Sequence, residues 1–272
     1  MSKSQRKAYP SDMSDREWEQ IAGLIPPPLP GGRPPKYARR ELVNAILFVL
    51  RSGCAWRMLP HDLPPKASAY GYFDRWTKAG VWEAVAAALR AKVRRTEGRR
   101  PAPTAAIMDS QAVKTGDQGG PRGFDVGKQT IGRKRHILVD TLGLIWAVCV
   151  TPASVQDHDG ALLLFAKLCG RGLGRVRLIW ADSAYRAAKL AAWLAAHLPR
   201  RGARLEVVER DAAARGFVVL RRRWVVERTF GWLNKCRRLS KDYERKLENS
   251  EAMIRVASIS MMTRRLAAIP TF

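Results

Sequence analysis

The spacing of apolar residues in this chain changes character once, and that change narrows its possible folds more than any other feature. Before about residue 100 apolar side chains recur at helical intervals between proline breaks; from Ala105 onward they gather in runs of strand length. The two patterns meet at a basic stretch, Arg90, Lys92, Arg94, Arg95, Arg99 and Arg100 against the single acid Glu97, which ends in Pro101-Ala102-Pro103. A boundary is therefore predicted there, dividing a helical part, residues 1–100, from a strand-bearing part, residues 101–272.

In the first part Ser14 and Glu17 form a capping box ahead of Trp18, Ile21, Leu24 and Ile25, and Pro26-Pro27-Pro28 stops that helix. Leu29 to Lys36 reads as an extended loop. Further helices are predicted from about Arg40 to Arg51, closed by Gly53, from about Ala67 to Lys78, and, after the turn Ala79-Gly80, on towards Arg95. A helix, a short glycine turn and a helix is the layout of helix-turn-helix DNA readers, and equally of a small bundle that only packs. Charge bears on function: 49 Lys and Arg against 24 Asp and Glu leave a net charge of +25, a self-repulsion that a polyanion would screen. Nucleic acid is the expected partner. The cysteines Cys54, Cys149, Cys169 and Cys236 form no CxxC pair, which points away from a zinc ribbon or disulfide framework and towards a reducing compartment. No apolar run is long enough to span a membrane, and Met1 to Lys7 has no signal-peptide character. A cytoplasmic, nucleoid-associated protein with no membrane partner is expected.

The second part opens with a strand from Ala105 to Met108 ending at Asp109, then a Gly-rich, charged loop from Lys114 to Arg133. A hairpin follows, Arg135 to Asp140 and Leu144 to Val150 about the turn Thr141-Leu142-Gly143. A helix from about His158 to Leu168, a strand from Val176 to Ala181 ending at Asp182, a helix from Tyr185 to His197, a strand from Leu205 to Val208, a helix from Trp224 to Leu239 and a last helix capped by Asn249 or Ser250 complete the pattern. Three successive strands make an antiparallel meander, and later strands alternating with helices must join by crossovers. This is an α/β class, a mixed sheet with helices on both faces, the topology of the RNase H-like fold.

Asp109 and Asp182 each close an apolar strand. On neighbouring strands they would converge, and two close anions call for a cation between them. Hard oxygen donors without a His or Cys cluster suit Mg²⁺ or Mn²⁺. Glu227, at the margin of a helical apolar face made by Val226, Phe230 and Leu233, is the third candidate; a simple salt bridge to Arg223 four residues earlier explains it equally. Two ions held by such a set can activate a water or a 3′-hydroxyl and stabilise the leaving oxygen of a phosphodiester. Asp140 reads as a turn former, Asp157 and Asp159 as helix-start residues, and His61, His136, His158 and His197 share no ligand spacing. Basic clusters surround the acids: ten Lys and Arg against three acids over 221–246, six against two over 114–135. Phosphate contacts are expected from Lys114, Lys128, Arg133, Lys134, Arg135, Arg186, Arg223, Arg228, Lys235 and Lys241. Of Trp224, Phe230 and Trp232, at least two read as core; an exposed one could stack on an unpaired base.

Four strings carry a resemblance: Met108 to Thr115 (MDSQAVKT), Gly132 to Asp140 (GRKRHILVD), Ile179 to Asp182 (IWAD) and Trp224 to Leu233 (WVVERTFGWL). With Arg51 to Pro60 (RSGCAWRMLP) and Arg238 to Glu244 (RLSKDYE), they resemble the DDE transposases of bacterial insertion sequences, family five, over nearly the whole length. The resemblance implies an RNase H-like catalytic domain whose DDE triad is Asp109, Asp182 and Glu227, with two divalent ions, Asp109 bridging both. It implies an enzyme that binds the terminal inverted repeats of its element as a multimer on double-stranded DNA, cleaves at the ends and joins the 3′-hydroxyls to target DNA. The related signature Y-x2-R-x3-E-x6-K meets this chain at Arg223 and Glu227, with Leu220 in the tyrosine place, Asn234 in the lysine place and Lys235 one residue late. The alternatives are an RNase H-like nuclease that transfers no strands and a DNA-binding descendant without catalysis.

Overall fold

The computed structural model describes residues 6–28, 34–168, 175–197, 203–208 and 222–269. The expected roles of Cys169, Leu220 and Arg221 lie outside those residues. Four helices precede the first strand: α1 (Asp15–Glu19), α2 (Arg39–Ser52), α3 (Lys66–Lys78) and α4 (Val81–Thr96). The capping box forms, with the Glu17 carboxylate accepting from the Ser14 N–H at 2.7 Å and the Ser14 hydroxyl oxygen from the Glu17 N–H. Gly53 ends α2 in the left-handed region at φ 75°, where a side chain would be strained.

Six strands, β1 (Ala105–Lys114), β2 (Gly123–Asp125), β3 (Thr130–Asp140), β4 (Ile145–Pro152), β5 (Leu178–Ala181) and β6 (Arg204–Val207), form one mixed sheet. β1 is central, antiparallel to β3 and parallel to β5. β6 continues parallel to β5, while the outer edge of β3 takes β4 along most of its length and β2 at its start. Helices α5 (Asp157–Ala166) and α6 (Ala188–His197) lie between the parallel strands in the chain, and α7 (Trp224–Asn234) and α8 (Leu247–Ala267) follow. The meander, the alternation and the flanking helices are thus as the hydrophobic pattern predicts.

One strand differs in a way that matters. The apolar run ends at Met108, yet β1 continues to Lys114, so Asp109 sits in mid-strand rather than at a strand end. The second half of β1 pairs with residues expected in the loop, Val113 opposite Arg133 and Lys114 opposite Gly132. Gly132 permits this closeness, because a Cβ there would meet the Val113 carbonyl oxygen at 1.9 Å. Ser110 finds a polar partner inside, donating to Asp157 Oδ1 at 2.7 Å. Apolar spacing cannot report a strand whose polar side chains are satisfied internally. Likewise α7 stops at Asn234, and Arg237–Leu239 form a separate 3-10 turn.

Each sheet face has its own core. Ala106, Met108, Leu138, Cys149, Ile179 and Ala181 pack with α5 and α6. Ile107, Ile137, Val139, Val148 and Val150 pack on the other face with α7, α8 and the helices of the first hundred residues, in one continuous apolar cluster. α8 is enclosed almost all round, burying Asn249, Ser250, Ser258 and Thr263 along with its apolar residues.

Candidate active site

Parallel pairing of β1 with β5 sets Ile107 opposite Trp180, and two residues further along each chain come Asp109 and Asp182. Their backbones therefore put both carboxylates at one level of the sheet. Asp109 lies on the face that α7 covers; its Oδ1 accepts from the Ser110 N–H at 2.7 Å. Asp182 caps the turn that follows β5, its Oδ1 accepting from the Ala184 N–H at 3.0 Å. α7 is anchored over this face by Val225, Val226, Phe230 and Leu233, which leaves Glu227, in its first turn, beside the two aspartates.

Arg223 joins the three. Its Nη2 lies 3.6 Å from Asp109 Oδ2, 3.5 Å from Asp182 Oδ2 and 3.8 Å from Glu227 Oε1. One positive against three negative charges leaves a formal −2 (1 − 3). Exposure rises from 15% for the Asp109 side chain to 28% for Asp182 and 50% for Glu227, so the cluster opens to solvent on the Glu227 side. Burial pushes the Asp109 carboxyl up to about 6; the Ser110 N–H and Arg223 oppose this, and Asp182 adds to it. Among the described residues no three His, Cys, Asp or Glu side chains are gathered tightly enough to form a metal-binding cluster. The donor set nevertheless fits a divalent ion in kind: three hard carboxylates, none with a competing soft ligand, closed about a cationic centre that the guanidinium supplies.

The expected phosphate contacts divide. Lys114, Lys128, Arg186, Lys235 and Lys241 are exposed, and Arg223 and Arg228 are half-buried. Lys128 reaches the site from the β2–β3 loop, its Nζ donating to the Ser110 carbonyl oxygen at 3.1 Å. Arg133, Lys134 and Arg135 do not face outward; this corrects their expected role. Arg133 pairs with Asp242 at 3.0 Å and donates to the backbone carbonyls of Pro121, Glu244 and Arg245. Arg135 donates to the carbonyls of Leu239 and Lys241, and Lys134 pairs with Asp125 and Asp157, both at 3.1 Å. These cations clamp the segment after α7 and the start of α5 to β3, so burial and internal carbonyls take the place of phosphate. Asp157 stands at the start of α5 as expected and also serves Lys134 and Ser110.

Of the three aromatics on α7, only Phe230 is core. Trp224 is exposed, and the Arg228 guanidinium lies between the Trp224 and Trp232 rings, 4.3 and 4.5 Å from their centroids. Asp140 does serve the turn, Oδ1 accepting from the N–H groups of Leu142 and Leu144, and it also pairs with buried Arg94. His136 is buried, bonded to Thr151 Oγ1 at 3.0 Å, and burial lowers it to about 4, so it is neutral near pH 7. Two residues near the aspartates escaped the sequence reading. Ser110 links Asp157 to Lys128, and Tyr185 is fully buried with its hydroxyl held protonated by burial and by Asp109, Asp157 and Asp182. The available signal for Tyr185 was its place on the turn that Asp182 caps.

Over residues 100–262, more than half its length, the chain matches the family described as "Transposase DDE domain". It belongs to the DDE transposases. Residues 13–86 match a second family, "Putative transposase of IS4/5 family", in agreement with the resemblance to insertion-sequence family five. Among curated proteins, the chain is 32% identical over 135 residues to the "Putative transposase for insertion sequence element IS402" of Burkholderia cepacia, covering 46% of this chain and 60% of that one. It is 35% identical over 89 residues to the "Insertion element IS402 uncharacterized 16.2 kDa protein" of the same organism (30% and 60%), and 34% identical over 77 residues to the "Uncharacterized protein y4sN" of Sinorhizobium fredii (28% and 62%). The chain thus spans about three fifths of the length of these relatives. No solved structure matches. Among the described residues no helix of this DDE transposase is long and apolar enough to cross a membrane.

Proposed function

We propose that this chain binds the terminal inverted repeats of an insertion sequence, cleaves DNA at the element ends and transfers the 3′-hydroxyls to target DNA. The convergence of Asp109, Asp182 and Glu227, from β1, the turn after β5 and α7, within 4 Å of one nitrogen carries this reading. Its support is topological: a triad assembled across a parallel strand pair and a late helix, on a sheet with the RNase H-like strand order. Residues 101–272 form the catalytic part, and residues 1–100 the helical, DNA-binding part. A homo-oligomer holds both element ends, and the reaction takes place on double-stranded DNA at the nucleoid, in the cytoplasm.

When bound, two divalent ions, Mg²⁺ or Mn²⁺, supply an acidified water or 3′-hydroxyl and neutralise the leaving oxygen. Asp109, Asp182 and Glu227 would hold them. The Ser110 N–H fixes the orientation of the Asp109 carboxylate, and the Ala184 N–H does the same for Asp182. Lys114, Lys128, Arg186, Arg228, Lys235 and Lys241 bind phosphates on either side of the scissile bond and so set the strand's register. Asp109→Asn and Asp182→Asn are expected to keep affinity for element-end DNA while losing Mg²⁺-dependent cleavage. Cleavage at the wild-type rate would remove the assignment; cleavage without strand-joined products would leave a nuclease.

A further inference from the structure

Resting on the metal-assisted reading above, we propose that Arg223 is a displaceable counter-ion, a positioning residue that holds the three carboxylates together in the free protein and leaves them when a divalent ion enters, its guanidinium then turning to a DNA phosphate.

The geometry distinguishes Arg223 from the structural arginines of this protein. Arg133 lies 3.0 Å from Asp242, and Arg238 grips Glu244 with Nε at 2.9 Å and Nη2 at 2.8 Å, both pairs sealed from solvent. Arg223 makes no such fork. A single nitrogen stands 3.5 to 3.8 Å from three oxygens, beyond the usual length of a charge-assisted hydrogen bond. Its Nε is buried and has no hydrogen-bond partner among the described residues. Its hold on the triad is thus electrostatic and spread over three partners, strong enough to keep like charges together and loose enough to be given up.

Charge makes the exchange favourable. Set against Arg223 alone, the three carboxylates keep a formal −2, which Lys128 at the edge of the site offsets only in part among the described residues; a divalent ion removes the remaining negative charge and repels a guanidinium a few ångströms away. An ion entering the triad therefore expels Arg223, and a phosphate that draws Arg223 away opens the triad to the ion. Each ligand clears the other's site, so binding of metal and of DNA is coupled, reciprocally.

Manganese binding to the full-length protein without DNA, followed by electron paramagnetic resonance, tests this. Arg223→Gln is expected to bind Mn²⁺ roughly fivefold or more tightly than wild type, a factor at the low end of typical site-to-site coupling, whereas Arg223→Lys, which keeps a cation there, stays near wild type. The gain in affinity for a random-sequence duplex on adding Mn²⁺ is expected to shrink in Arg223→Gln. Equal or weaker Mn²⁺ binding by Arg223→Gln overturns the inference and leaves the proposed function standing; no Mn²⁺ binding by wild type overturns both. A readout on wild type guards against misfolding of the variant: the arginine Nε–H resonance missing from the Arg223→Lys spectrum should shift with the Mg²⁺ binding isotherm, and a resonance that stays put also overturns the inference.

Discussion

Asp109 bears the sharpest conflict among the residues of the site. Its carboxyl titrates near 6 in the folded protein, raised first by burial, against about 4 in an unfolded chain. The folded state therefore keeps the proton longer than the unfolded state, and stability present below pH 4 is lost as pH rises through 6. In metal-free protein Asp109→Asn is expected to melt higher than wild type above pH 6, by the equivalent of about 2 to 3 kcal/mol, and to match it below pH 4. A melting difference independent of pH would contradict this. Gly160 poses a steric question at the same scale. A Cβ there would lie 2.0 to 2.4 Å from three atoms of the His136 ring, which is itself buried. Gly160→Ala should lower stability by about 1 to 3 kcal/mol through overpacking, read as a shift in urea midpoint, with part of the loss recovered when His136→Ala is added. Nothing in the spacing of His136 from the other histidines reveals its packing against α5.

At the level of elements, β3 shows how a basic string can mislead. Arg133, Lys134 and Arg135 follow one another on a strand, so alternation alone would place at least one in solvent. All three are buried because both faces and one end of β3 are covered: α5 on one side, the segment after α7 on the other. Arg133→Ala would remove the ion-pair partner of buried Asp242. It is expected to destabilise the protein by about 3 to 5 kcal/mol, measured by chemical denaturation. Lys241→Ala, on an exposed side chain of the same neighbourhood, is expected to weaken DNA binding at low salt and leave the denaturation midpoint alone. The reverse pattern would return Arg133 to the DNA interface. α7 shows the converse case. Its apolar residues at i, i+4 and i+7 from Val226 correctly predicted the anchored face and left Glu227 at its margin, since helical geometry alone determines that relation.

Over the whole molecule, the helical and strand-bearing parts are two patterns in the chain and one apolar cluster in space. Leu42, Ile46, Phe73, Trp82 and Leu89 belong to the same buried cluster as Ile107, Ile137 and Val148. Arg94 of α4 pairs with Asp140 at the end of β3, and α8 packs against α4 and β4. A fragment limited to residues 101–272 would expose that face of the sheet. It is expected to lose cooperative thermal unfolding and to bind an apolar dye, and a fragment that melts cooperatively without dye binding would show that the sheet is stable by itself. Family matches that cover the two parts separately, over 13–86 and 100–262, are compatible with this shared core, because sequence profiles follow segments of chain and packing joins them.

The sequence by itself determined the change from helices to strands, the meander and its crossovers, the capping box and the turn at Asp140. Each depends on spacing of a few residues along the chain, where geometry is nearly independent of context. Only the tertiary structure decided that Asp109 lies in mid-strand, that Arg133 to Arg135 are interior, and that the Arg223 guanidinium sits among the three carboxylates. Those outcomes depend on partners far away in the chain, such as Asp242 for Arg133, separated by 109 residues. A charge's burial is set by what packs over it, and residue type does not encode that.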